Sequence, residues 1–155
     1  MVRTQKPAST TEEEKKPRKT PSFLVELPLR VSSADARRLR AHFEAGRQFY
    51  NNLLGQAVRR LQQMRCDPGW ALAGALPRQN KQARARAFGE LRRQYGFSEY
   101  ALHAYATTQR VSWLRDHLDA HTAQTLATRA YRAVNRVALG QARRVRFRSK
   151  GRPLS

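Results

Sequence analysis

Apolar and polar residues alternate without a break near the start of the chain. Phe23, Val25, Leu27, Leu29 and Val31 share one face, with Glu26, Pro28 and Arg30 on the other. A period of two predicts a half-buried strand over residues 22–32. Pro28 has no N–H to give a ladder, so that strand belongs at an edge or at a bulge. At Ser32 the period changes. Ser32 and Asp35 have capping-box spacing. Leu39, Phe43, Gly46, Tyr50, Leu53, Ala57, Leu61 and Met64 then recur every three or four positions, and Phe49, Leu54 and Val58 widen the stripe. That spacing predicts a helix over 33–65, either one long bundle helix or one bent near Gly46 or Gly55.

Asp67-Pro68-Gly69 is turn chemistry and predicts a loop over 66–77. A second helix is expected after Pro77 to about Tyr95, with Ala83, Ala87, Leu91 and Tyr95 in line and Gly96 as its stop. Ser98 caps a third, reaching about Leu118, with Leu102, Tyr105, Ala106, Trp113 and Leu114 inward. A fourth starts at Thr122 or Asp119, repeats Ala123, Ala127, Ala130, Val134 and Val137, and ends at Gly140. The pattern then returns to two. Val145 and Phe147 point one way and Arg144, Arg146 and Arg148 the other, which predicts a short strand with a cationic face. The expected fold class is α+β, mainly α: a strand, four helices and a closing strand. A sheet of two strands is marginal on its own.

Charge changes the picture most. Lys plus Arg is 31 against 11 Asp plus Glu, a net +20 over 155 residues. Residues 1–21 contain six basic and three acidic residues and one apolar side chain larger than Ala after the first Met, so they read as a disordered basic tail carrying only +3. The remaining +17 belongs to the part expected to fold. Such an excess repels itself unless it meets a polyanion, of which nucleic acid is the commonest. A GC-rich coding bias accounts for Arg over Lys but not for the shortage of acids. The organisation expected is a tail (1–21), a strand (22–32), a helical region (33–140) and a basic return strand (141–155).

Other chemistries fare worse. The run of apolar residues and Gly that includes Trp70 to Leu76 is far short of the ~20 residues of a membrane span. The charged N-terminus lacks a signal-type stretch, so the expectation is a cytoplasmic protein. The single cysteine, Cys66, excludes an intramolecular disulfide and a Cys-rich zinc site. His117 and His121 would share a face only if one helix ran through 119–121. With His42 and His103 they bring no third ligand at a recognisable metal spacing. Asp116 and Asp119 are too isolated for a two-metal nuclease. No phosphate loop, nucleophile elbow or cofactor motif is present, so neither an enzyme activity, a cofactor nor a small-molecule substrate is expected.

Candidate binding residues concentrate in two places. Alternate arginines on a strand stand ~7 Å apart, near a nucleic-acid phosphate spacing, and guanidinium forks bind phosphate oxygens. This singles out Arg144, Arg146, Arg148, Lys150 and Arg152. Arg47 and Asn51, at i and i+4, can touch a backbone together, while Phe49 and Tyr50 read first as core.

The order of these segments resembles the N-terminal portion of the TnpB/OrfB insertion-sequence proteins. Those are transposon-encoded, RNA-guided nucleases related to type V CRISPR effectors. The resemblance rests on the alternating strand, on Gly46-Arg47-x-Phe49-Tyr50-Asn51 in the first helix, and on Val145-Arg146-Phe147-Arg148-Ser149-Lys150-Gly151-Arg152 after the helices. Gln48 stands where the family often has Phe, and Arg144-Val145 where Pro is common. The resemblance implies a helical recognition lobe inserted between strands of an incomplete wedge-type β-barrel. It puts Arg47, Tyr50 and Asn51 at the junction and the basic strand against guide RNA or its duplex with DNA. Such proteins read A-form shape and backbone. The family's catalytic carboxylates and zinc ribbon lie beyond the matched segments, so the implied role is nucleic-acid binding without nuclease activity, as a truncated product or a fragment. The competing classes are a small standalone helical DNA-binding regulator, with its turn at 119–122 and Arg129, Arg132 and Arg136 on the second helix, and a non-enzymatic assembly module.

Overall fold

A computed structural model describes residues 24–28, 30–111 and 113–150. The chain divides into two compact units, Met1–Arg30 and Val31–Ser155. In the first, the described residues 24–28 and 30 carry no regular structure, and Leu24, Val25 and Leu27 are exposed. The expected tail over 1–21, Phe23, Leu29 and Arg152 lie outside the described residues.

The second unit is helical. Helix α1 (Ser33–Cys66) runs unbroken for 34 residues, ~51 Å at 1.5 Å per residue. Ser32 caps it: its Oγ accepts the Asp35 amide at 3.1 Å and donates to Oδ2 of Asp35 at 2.6 Å. The buried stripe is Ala45, Gly46, Phe49, Leu53, Leu54, Ala57, Leu61 and Met64. Leu39 and Phe43, expected on that stripe, lie on the exposed first third of the helix.

The expected loop over 66–77 contains a helix, α2 (Pro68–Ala75). Asp67-Pro68-Gly69 starts it rather than forming a free turn. Pro68 occupies a first-turn position that needs no N–H, and Asp67 Oδ1 accepts the Gly69 amide at 2.6 Å. α3 (Lys81–Gln94) stops at Gly96, φ +60°, in the left-handed region glycine tolerates. The expected third helix is split into α4 (Glu99–Gln109), capped by Ser98, and the single turn α5 (Leu114–His117). Trp113 is consequently half exposed rather than inward. Asp119 caps α6 (Ala120–Ala138) through the Thr122 amide at 2.7 Å, and Gly140, φ +71°, ends it.

α6 runs beside α1 in the same direction. Residues 122–129 flank residues 42–46, and Arg65 Nη2 donates to the Val137 carbonyl at 3.0 Å. α4 runs the other way, with Tyr105 donating to Asn52 at 2.9 Å. Ala123, Ala127, Ala130 and Val134 let α6 approach closely, and the core joins them to Phe49, Leu53, Leu54, Met64, Phe97 and Leu102. Burial of these side chains drives the assembly.

Neither expected strand forms among the described residues. Residues 24–28, 30–32 and 144–149 are irregular. A strand exists only with a ladder partner, and alternation along one segment supplies a face but no neighbour.

Candidate nucleic-acid interface

After α6 the chain turns back and lies along α1. Val145 packs against the core, Phe147 Cε1 lies 3.9 Å from where a Cβ on Gly55 would stand, and Arg148 reaches the level of Arg47 and Asn51. The Asn51 carboxamide brackets Arg148. Its Nδ2 donates to the Arg148 carbonyl at 2.8 Å, and its Oδ1 accepts the Arg148 amide at 2.8 Å. One side chain thus supplies both hydrogen bonds that a ladder neighbour would give to a strand residue. Arg47 Nη1 donates to the same carbonyl at 2.9 Å. The i, i+4 pair therefore touches a backbone together, and the backbone is the chain's own.

The basic segment is accordingly an ordered ridge over α1. Arg144, Arg146, Ser149 and Lys150 are exposed and Arg148 is half-buried. Tyr50, Arg146, Phe147, Arg148 and Ser149 line a cavity of about 290 Å³. The expected sites thus converge: Arg47, Asn51 and Arg148 meet directly, and Tyr50 sits beside them, half-buried against the core.

Glu44 is part of this cluster, and the motif-based reading passed over it. Its carboxylate takes Arg47 Nε on Oε2 at 2.9 Å, and Arg47 Nη2 and Gln48 Nε2 on Oε1 at 2.5 and 2.9 Å. These bonds, with the nearby charges of Arg47 and Lys150, hold the carboxyl at about 2, against an ordinary 4.5. The same bond to Glu44 raises Arg47 further. The signal was available in the i, i+3 and i, i+4 spacing of Glu44 to Arg47 and Gln48.

Many other arginines serve the fold. Arg60 Nη1 donates to Gly96 O at 2.9 Å, Arg84 Nη1 to Gly74 O and Leu76 O at 2.8 and 2.6 Å, and Arg110 Nη1 to Leu118 O at 3.0 Å. With Arg65 on Val137, each satisfies carbonyls at or just beyond a helix C-terminus, where cations are favoured. Burial also lowers Arg60, which lies over the Tyr105 ring. Part of the cationic excess is therefore structural. Among the described residues the arginine–carboxylate ion pairs are Arg47–Glu44 and Arg86–Glu90, and His103 Nε2 lies 3.9 Å from Glu99 Oε1.

The histidines separate. α5 ends at His117 and α6 begins at Ala120, so no continuous helix stacks His117 on His121. His42 Nδ1 lies 3.0 Å from the His117 carbonyl, with the rings edge to face at 5.0 Å. All three line a cavity of about 490 Å³ with Phe43, Leu118 and Arg129. His103 joins Thr128 and Glu99 in a bridge from α4 to α6. Among the described residues no three His, Cys, Asp or Glu gather in a metal-holding group. No described helix is long and apolar enough to cross a membrane.

No protein-family model, curated protein or solved structure matches the chain.

Proposed function

We propose that this chain binds the sugar–phosphate backbone of a polynucleotide through Arg144, Arg146, Arg148, Lys150 and Arg152, with Arg47, Tyr50 and Asn51 holding the segment in place. On this reading it is the nucleic-acid-binding N-terminal part of a TnpB-like cytoplasmic protein, without catalysis of its own, and its natural ligand is guide RNA or the RNA–DNA duplex. Segments 22–32 and 143–150 would be strands of a wedge-type barrel whose ladder partners other strands provide.

One observation carries the reading. The basic segment is clasped to α1 at its own backbone by Asn51 and Arg47, which leaves the exposed Arg144, Arg146 and Lys150 side chains toward solvent. A charge run that were merely solubilising needs no such clasp. Ordered cations lose less entropy on meeting phosphates than a flexible tail does.

A duplex-DNA regulator has one observation in its favour. Arg129, Arg132 and Arg136 are exposed on one face of α6. Against it, α5 is a four-residue turn, so no full helix stands directly ahead of α6 as a helix-turn-helix requires. Competition separates the readings. Structured RNA should displace a labelled single-stranded RNA at lower concentration than a duplex DNA of equal length. The reverse order favours the regulator, and displacement by neither refutes both.

A further inference from the structure

The Glu44 cluster differs from an ordinary surface ion pair. Arg86–Glu90 on α3 is a single contact at 3.1 Å between two well-exposed side chains. Glu44 instead receives the Nε–Nη2 edge of the Arg47 guanidinium on its two oxygens, and the Gln48 amide, with the Lys150 charge nearby. Arg47 is also fixed from behind by its bond to the Arg148 carbonyl. A guanidinium fork that fits two carboxylate oxygens fits two phosphate oxygens equally.

We propose that Arg47 and Gln48 form a subsite for one phosphodiester of the polynucleotide backbone, which Glu44 fills as an internal anion and leaves when the polynucleotide binds. This rests on the function proposed above and names a regulation of that same site. A carboxylate and a phosphodiester each carry one negative charge, so the exchange conserves the charge of the site and returns Glu44 to water. With its carboxyl held far below neutrality, Glu44 does not leave by protonation. A competing anion has to displace it. Glu44 then acts as a tax on affinity, one that disfavours ligands unable to fill the whole ridge.

The test compares Glu44→Gln with Glu90→Gln, which changes net charge equally at a pair remote from the ridge. RNA affinity is measured over a range of salt, and inorganic phosphate is titrated while the Arg47 Nε resonance is followed. Glu44→Gln should bind RNA about threefold to tenfold tighter, with the slope of log K against log salt little changed, because the same phosphate contact forms in both proteins. Glu90→Gln should stay within about twofold and keep its slope, as a screened surface charge does. Phosphate should shift Arg47 saturably in Glu44→Gln at lower concentration than in the unmodified protein. Coincident curves for the two variants, or weaker binding by Glu44→Gln, overturn the subsite while leaving polynucleotide binding intact. Saturation by phosphate without tighter RNA binding assigns the subsite to free phosphate and also overturns it. If none of the three proteins binds polynucleotide, the broader function fails instead.

Discussion

The α1–α6 interface and the segment over 143–150 lie on the same helix and are held by opposite means. The interface is dry: Phe49, Leu53, Leu54, Met64 and Val134 are at most 1% exposed. The ridge is wet, resting on one partly buried valine, a phenylalanine over a glycine, and hydrogen bonds from Asn51 and Arg47. Burial of that kind sets global stability, while a few polar clasps set only the local cost of opening. The difference separates a dry scaffold from a solvent-facing ridge, and it implies that the two can be broken separately.

The largest effect should come from the interface. Leu53→Ala removes a fully buried side chain between helices and should cost about 3 kcal/mol, read as a lower denaturant midpoint at unchanged m-value. Asn51→Ala should cost less, about 1 to 2 kcal/mol. Its signature is local: the Arg148 amide should exchange with solvent much faster while amides in α6 keep their protection. Equal acceleration in both regions would show ridge and bundle to be one cooperative unit. Gly55→Ala sharpens the comparison from the other side. A methyl there meets Phe147 at ordinary contact distance, so relief of a helix-interior glycine should stabilise by about 0.5 to 1 kcal/mol and leave RNA binding unchanged. The smallest effect concerns acid. Glu44 titrates near 2 in the folded chain and at 4.5 ordinarily, so its contribution is complete above pH 4.5 and is lost as pH falls toward 2. Glu44→Gln should flatten the acid limb of stability in that window alone.

Much of the bundle was legible because local rules and tertiary packing agree there. α1 starts at its capping serine, α3 and α6 stop at glycines with positive φ, and the 3–4 spacing of Ala123 to Val134 is the buried face of α6. Elsewhere one local signal has two meanings. Asp-Pro-Gly opens a turn or starts a helix, and the choice at 67–69 falls to packing of Ala73 into the core. The break between α4 and α5 has no glycine or proline to announce it. Alternation in 22–32 and 143–150 encodes a face and says nothing about a partner. The site was half legible. Spacing paired Arg47 with Asn51, but their common target, Arg148, lies about a hundred residues on. Charge counting also missed that Arg60, Arg65, Arg84 and Arg110 satisfy carbonyls around helix ends.

The central claim is that the cations of the ridge meet phosphates. Its most direct measurement is the salt dependence of structured-RNA affinity for the unmodified protein and for Arg144→Ala/Arg146→Ala/Arg148→Ala, with the thermal melt of each recorded alongside. The account predicts weaker binding and a slope of log K against log salt shallower by ~2 to 3, close to one unit for each guanidinium lost. Unchanged affinity and slope in a folded triple variant would contradict it.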